Sequence, residues 1–263
     1  MAMAGLKILV CVKAVPDPSS SIKPDESGRW IEEDNIVWKV NEYDFYAMEE
    51  AVRTKEAAPG TEITVVSVGP PRVEEQVRKA MSMGAEHGLV IDDPEAQPPG
   101  PDSVSSIIAA WADDKEFDLV LCGVMSEDMQ NCAVGPMLAV KLGMPWATTA
   151  IKLEPDSESG TAIVERELEG GEREKIKLKL PALVTVQSGI NEPRYASLSN
   201  VLRVKAMEIP HVSASELGTG TKVGLDYSLI EPERTSKCLF LQGSPEEVAK
   251  ELAEEIKKRV NIG

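Results

Sequence analysis

Between Lys7 and Gly143 the sequence switches four times from a short apolar run to a longer segment with helical spacing. The runs are Lys7 to Ala14, Glu62 to Val68, Gly88 to Ile91 and Phe117 to Cys122, rich in Val, Ile and Leu at consecutive positions, as expected of strands buried on both faces. After the first run, Asp44 to Ala57 places Phe45, Met48, Ala51 and Val52 on one helical face, with Asn41 as a candidate cap. Val73, Val77, Ala80 and Met81 form a second stripe. Val104, Ile107, Ile108 and Trp111 form a third behind Asp102 as cap, and Val134, Met137, Leu138 and Leu142 a fourth. Such alternation specifies an α/β fold with a doubly wound, mainly parallel sheet, because right-handed crossovers put helices on both faces. Ligands bind beyond the carboxyl ends of the strands in these sheets, here the rim formed by Cys11, Val68 and Gly123.

The last crossover of the four is the most informative. A polar loop, Val124 to Val134, joins its strand to its helix, and Gly135 and Pro136 at the helix start let backbone N–H groups face outward. The first N–H groups of a helix lack internal partners and carry the positive end of its dipole, so the loop outlines an anion site. Taken alone it reads better as an ordinary connection, since two glycines twelve apart make a weak motif.

Beyond Gly143 the texture changes. Trp146 to Leu153, Thr161 to Leu168 and Arg173 to Val186 read as strands joined by hairpin turns at DSESG and EGG, an antiparallel extension. SIKPDESGRWIEEDNIVWKV reads as a surface hairpin about Glu26-Ser27-Gly28. Asn191 to Asn200 is a turn-rich loop. Residues 207–243, with Gly218, Gly220, Gly224 and Pro232 scattered through them, show no sustained period and are expected to lie on another surface, either of this domain or of a partner. Ser244-Pro245-Glu246-Glu247 is a capping box that opens a helix bearing Val248, Leu252 and Ile256.

The 263 residues, 42% of them apolar, suffice for a sizeable core. A net charge of −16 with no Lys/Arg cluster argues against a phosphate-tracking nucleic-acid binder. The amino-terminal run is too short for a signal peptide or a membrane span, and a cytoplasmic protein is expected. Cys11, Cys122, Cys132 and Cys238 stand singly, which fits buried free thiols in a reducing compartment. His87 and His211 have no second ligand at metal spacing, so no metal site is expected, and no nucleophile–base constellation suggests hydrolysis.

VKAVPD behind the first strand, NEYDFYAMEEAVRTKE, VVSVGPPRVEEQVRKAMSMGAE, the Gly123 to Gly135 loop, VERELEGG, KLPALVTVQSGINEPRYASLSN and the terminal helix occur in an order that resembles the small (β) subunit of electron transfer flavoprotein over nearly the whole chain. GINEPRYASLSN is the most specific of them. The resemblance implies a Rossmann-like, adenine-nucleotide-binding domain over 1–206 and a carboxy-terminal arm and helix over 207–263 that wrap a larger α subunit. It further implies a structural AMP in this chain, an FAD held mainly by the α subunit, and no catalytic acid or base. Electrons would pass from flavin dehydrogenases, such as acyl-CoA dehydrogenases, to a quinone reductase.

Carried over by position, the AMP site comprises Cys11, Asn41, Glu42, Tyr43, Asp44, Val68, Gly123, Val124, Met125, Ser126, Asp128, Asn131, Cys132, Ala133 and Val134. Ser126, Asn131 and N–H groups suit a phosphate. Cys11, Val68 and Val134 offer an apolar wall for adenine. Asp128 is expected to bond a ribose hydroxyl or cap the turn, because it would repel phosphate. The loop of Asn191, Glu192, Pro193, Arg194, Tyr195, Ala196, Ser197 and Leu198, with Asn200 at its end, would dock the dehydrogenase, with Leu198 as apolar anchor. SEDMQNCAVG lacks the D-G-D-T-A-Q pattern of members that hold a second FAD in this site and bifurcate electrons from NADH, which favours AMP, with a second FAD in its place as the alternative. VLRVKAMEIP replaces the basic run that follows the docking loop in mitochondrial members.

Overall fold

The computed structural model describes residues 5–93, 100–218, 228–231 and 238–259. In chain order the elements are β1 (Lys7–Cys11), β2 (Ala14–Pro16), β3 (Trp38–Val40), α1 (Glu42–Ala57), β4 (Glu62–Gly69), α2 (Glu74–Met81), β5 (His87–Asp92), α3 (Pro101–Ala112), β6 (Leu119–Gly123), α4 (Val134–Lys141), β7 (Trp146–Asp156), β8 (Thr161–Glu167), β9 (Arg173–Lys179), β10 (Ala182–Val186), α5 (Leu198–Lys205), β11 (His211–Ser213) and α6 (Pro245–Arg259). The four apolar runs of the sequence become neighbours in the order β5-β4-β1-β6, all parallel. Alternate residues of these strands serve two separate cores. Ile8, Val10, Ile63 and Leu121 pack with Met48, Ala51, Val77 and Met81 of α1 and α2, whereas Leu9, Val66, Ile91 and Val120 pack with Ile107, Ile108 and Leu138 of α3 and α4. Burying each Val, Leu, Ile or Met among them contributes roughly 1.5–3 kcal/mol, so the two apolar helix faces fix the layered architecture.

The Arg173 to Val186 run is not one strand. Pro181 has no N–H for a ladder, and the chain divides there. β9 stays with β8 as the antiparallel extension, while β10 inserts between β6 and β7 and runs parallel to both. All five residues of β10 are buried, the signature of a central parallel strand. The extension is therefore β7-β8-β9, joined to the parallel sheet through β7.

Several boundaries differ from the expectation. α1 begins at Glu42, and Pro101 rather than Asp102 opens α3, with Gly100 at the cap position. Asp102 lies in the first turn, where it pairs with Lys141 at 2.9 Å. Phe117 precedes β6 and packs on Trp111. The surface hairpin survives only as one bridge, Pro24 to Ile31, and Trp30 and Ile31 within it are buried. The docking loop ends at Ser197, whose Oγ accepts the Asn200 N–H, and Leu198 starts α5.

β11 pairs with β5, so part of the segment expected as an arm after residue 206 is instead an edge strand of the sheet. The compact units are Met1–Leu229 and Ile230–Gly263. Gly220, Gly224 and Pro232 lie outside the described residues, as do residues 94–99 of the Pro-rich connection. In the second unit the capping box forms as read: the Ser244 N–H and Oγ donate to Glu247 Oε2 at 2.8 and 2.7 Å. No residue of α6 is buried, and Leu252 and Ile256 are exposed. Among the described residues no helix is long and apolar enough to cross a membrane.

Candidate functional site

β1 and β6 end side by side, with Cys11 opposite Cys122, and the cleft opens beyond them at the carboxyl rim. Its walls include Cys11, Asn41, Asp44, Val68, Gly123, Val124, Met125, Ser126, Asp128, Asn131, Cys132, Ala133 and Val134. Glu42 and Tyr43 line a neighbouring pocket instead, together with Ile22, Tyr46 and Met129. The helical start at Glu42 explains the split, since residues three apart share a face and those between them turn away.

The polar loop is fastened from outside itself. Asn41 does not cap α1; its amide donates to the Met125 carbonyl at 2.9 Å and accepts the Glu127 N–H at 3.0 Å. Glu127 in turn takes Lys39 Nζ at 3.0 Å and the Glu42 N–H at 3.1 Å. Lys13 Nζ reaches both Asp128 oxygens at 2.7 Å and Ser126 Oγ at 3.3 Å. Asp128 also accepts the N–H of its neighbour Met129 at 2.8 Å. The loop is thus held open over the sheet by contacts to β3, α1 and the residues after β1.

Asp44 ties the floor together. Its two carboxylate oxygens accept the Lys13 N–H at 2.8 Å and the Gly123 N–H at 3.1 Å, bridging the chain just past β1 to the end of β6. Burial outweighs these bonds and pushes the carboxyl up to about 7. Gly123 is required there, because a Cβ would meet Asp44 Oδ1 and come within 2.7 Å of Tyr43 Cβ. Gly135 likewise has no room for a side chain against Thr185, which lets the start of α4 sit directly on β10. Gln130 and Cys132 adopt left-handed φ values of 52°, turns of the kind that gather N–H groups on one side.

The opposite wall was not legible as a site. Trp30 Nε1 donates to Glu33 at 2.8 Å, Glu33 accepts two Arg72 bonds at 3.0 and 2.6 Å, and the Arg72 guanidinium lies 3.7 Å over the Trp38 ring. Trp30, Trp38 and Arg72 all line the cleft. Burial opposes ionisation of Glu33, but the bonds from Arg72 and Trp30 prevail and hold it below the usual carboxylate range. Lys13 did leave a signal, as the charge that interrupts an otherwise apolar run. The two tryptophans left none beyond their presence in a presumed hairpin.

Cys132 and Cys238 are exposed, contrary to the expectation of buried thiols; Cys132 lies on the polar loop and Cys238 in the second unit. Cys11 and Cys122 are buried. Among the described residues no cluster of His, Cys, Asp and Glu could hold a metal, and His211 bonds Asp92 and Glu74, both at 3.0 Å.

The docking loop is anchored on α1. Asn191 donates to Tyr46 O and Glu50, both at 3.0 Å, and Arg194 forks onto Glu49 at 2.8 Å and Glu56 at 2.5 Å. Glu49 and Glu50 are buried; the loop supplies Arg194 to Glu49 and Asn191 to Glu50, and Arg53 of α1 also approaches Glu50 at 3.5 Å. The Glu56 and Glu49 carboxylates raise the Arg194 pKa, and burial of Glu50 raises its own. Tyr195 is fully exposed and Leu198 75% exposed, so the loop presents apolar groups from a rigid base.

The family profile described as "Electron transfer flavoprotein domain" matches residues 29–217. The chain is 36% identical over 243 residues to the electron transfer flavoprotein subunit beta of Bacillus subtilis, covering 90% of this chain and 92% of that one. To the human protein of the same name identity is 38% over 242 residues, 89% of this chain and 92% of the relative. The subunit beta of Methylophilus methylotrophus is 33% identical over 231 residues, 87% and 88% of the two. With the doubly wound sheet, the fastened loop at its rim and likeness over nine-tenths of its length, the chain belongs to the electron transfer flavoprotein β-subunit family.

Proposed function

We propose that this chain is the nucleotide-holding and docking half of a cytoplasmic, heterodimeric electron carrier, with an adenylate in the rim cleft and a redox FAD held mainly by its α-subunit partner. The observation that carries the proposal is the fastened loop. Asn41 and Lys13 fasten residues 125–128 beside the cleft, and Val134 and Gly135, whose N–H groups open α4, are part of its lining. Ser126, Asn131 and those N–H groups would hold the phosphate, and Cys11, Val68 and Val134 would wall the adenine. Protonation of buried Asp44 would lessen repulsion of an anionic ligand.

FAD, when bound in the heterodimer, supplies the one-electron chemistry; this chain positions rather than reacts. Leu198 and Tyr195 suit a small transient contact with a flavin dehydrogenase such as an acyl-CoA dehydrogenase, with a quinone reductase as acceptor. The exposed apolar stripe of α6 suits burial against the α subunit.

Nucleotide extracted from the purified heterodimer is expected to contain AMP and FAD in equal amounts. Two flavins per dimer and no AMP would select the NADH-oxidising, electron-bifurcating reading with a second FAD in the cleft. Purification without companion or adenine would overturn both.

A further inference from the structure

We propose that Cys11 and Cys122 form a dithiol in the floor of the cleft, which a hydroperoxide entering the cleft closes to an intrachain disulfide. The two residues are direct cross-strand partners in the parallel β1–β6 ladder, so both side chains leave the sheet on the same face. They belong to the same core layer and both line the cleft, buried to 8% and 5% exposure. Neighbouring strands lie about 4.8 Å apart. That spacing falls within the roughly 4.4–6.8 Å between Cα atoms that a disulfide spans, with only a slight approach of the Cβ atoms required.

The thiols also differ in role. The neighbouring Cys11 side chain, together with burial, pushes the Cys122 thiol well up. Cys11, the more exposed of the two at 8% against 5%, is the sulfur that a peroxide in the cleft oxidises first. Cys11 attacks the peroxide oxygen, the O–O bond breaks, and Cys11 becomes a sulfenic acid as one water leaves. The Cys122 sulfur then attacks the Cys11 sulfur, the S–O bond breaks, and the departing hydroxide takes the Cys122 proton as a second water. Two thiols and one hydrogen peroxide thus give one disulfide and two waters. An occupant of the cleft would block the approach of peroxide, and this protection rests on the adenylate reading.

The test treats the nucleotide-free heterodimer with hydrogen peroxide, with and without AMP, and maps the cysteine peptides. The expected product is one Cys11–Cys122 cross-link, reversed by dithiothreitol and formed about tenfold more slowly with AMP. Phenylarsine oxide, which bridges two adjacent thiols with loss of water, is expected to join the same peptides without any oxidation. Oxidation confined to exposed Cys132 and Cys238, or Cys11 passing to the sulfinic acid with Cys122 unlinked, would overturn the proposal. A cross-link that forms equally fast with AMP would uphold the dithiol and sink the adenylate reading instead.

Discussion

Replacing Asn41 separates two roles that its position at the head of α1 permits. Were it a plain helix cap, Asn41→Ser would be nearly neutral and Asn41→Ala would cost about 1 kcal/mol. The structure gives it another function, a bridge from Met125 O to the Glu127 N–H with no capping bond and 1% exposure. Serine is too short to span both atoms, so either substitution removes two hydrogen bonds worth about 1 kcal/mol each. Both also leave a carbonyl and an amide half-buried without partners, for a total of roughly 2–4 kcal/mol. For a domain of this size each kcal/mol lowers Tm by about 2–4 °C, so a fall of roughly 4–16 °C is expected for both variants. Hydrogen exchange should quicken across residues 124–133, and AMP affinity should fall about tenfold or more as the loop loses its preset shape. An Asn41→Ser protein that matches the parent in Tm, exchange and AMP content would refute the bridging argument.

The remaining expectations concern pH, anchoring and docking. Asp44 moves from its ordinary 3.8 to about 7 on folding, so between those values the folded chain keeps a proton that the unfolded chain has lost. Stability therefore falls as pH rises through that window, by up to about 1.4 kcal/mol per unit, and is flat above it. Asp44→Asn should remove this slope in denaturant titrations run from pH 4 to 7.5; an identical slope in the variant would assign the proton elsewhere. Arg194→Ala leaves buried Glu49 without its partner and should cost about 2–4 kcal/mol, with proteolysis quickened at the 191–197 loop; an unchanged Tm would deny the anchor. Leu198→Ala, at an exposed position, should leave Tm, flavin content and the heterodimer intact while slowing reduction by the cognate dehydrogenase, and equal rates would remove the docking role.

Much was readable from order and spacing alone. Four apolar runs interleaved with helical stripes determined the parallel sheet and its two helical layers, because burial on both faces leaves no alternation in a strand and one stripe on a helix. The same reading located the cleft at the rim and the loop from Val124 to Val134 as its wall. Local chemistry was also enough for the Ser244–Glu247 capping box, whose partners are three residues apart.

What the tertiary structure alone decided involves partners distant in the chain. Asn41 meets the loop across 84 residues, Lys13 meets Asp128 across 115, and Arg194 meets Glu49 across 145. The insertion of β10 between β6 and β7 likewise depended on which sheet edge its apolar run could enter. Periodicity reports which face of an element is buried, so it built the scaffold. It carries no information on which polar group arrives opposite, and for that reason Trp30, Trp38 and Arg72 entered the cleft wall only when the chain was folded.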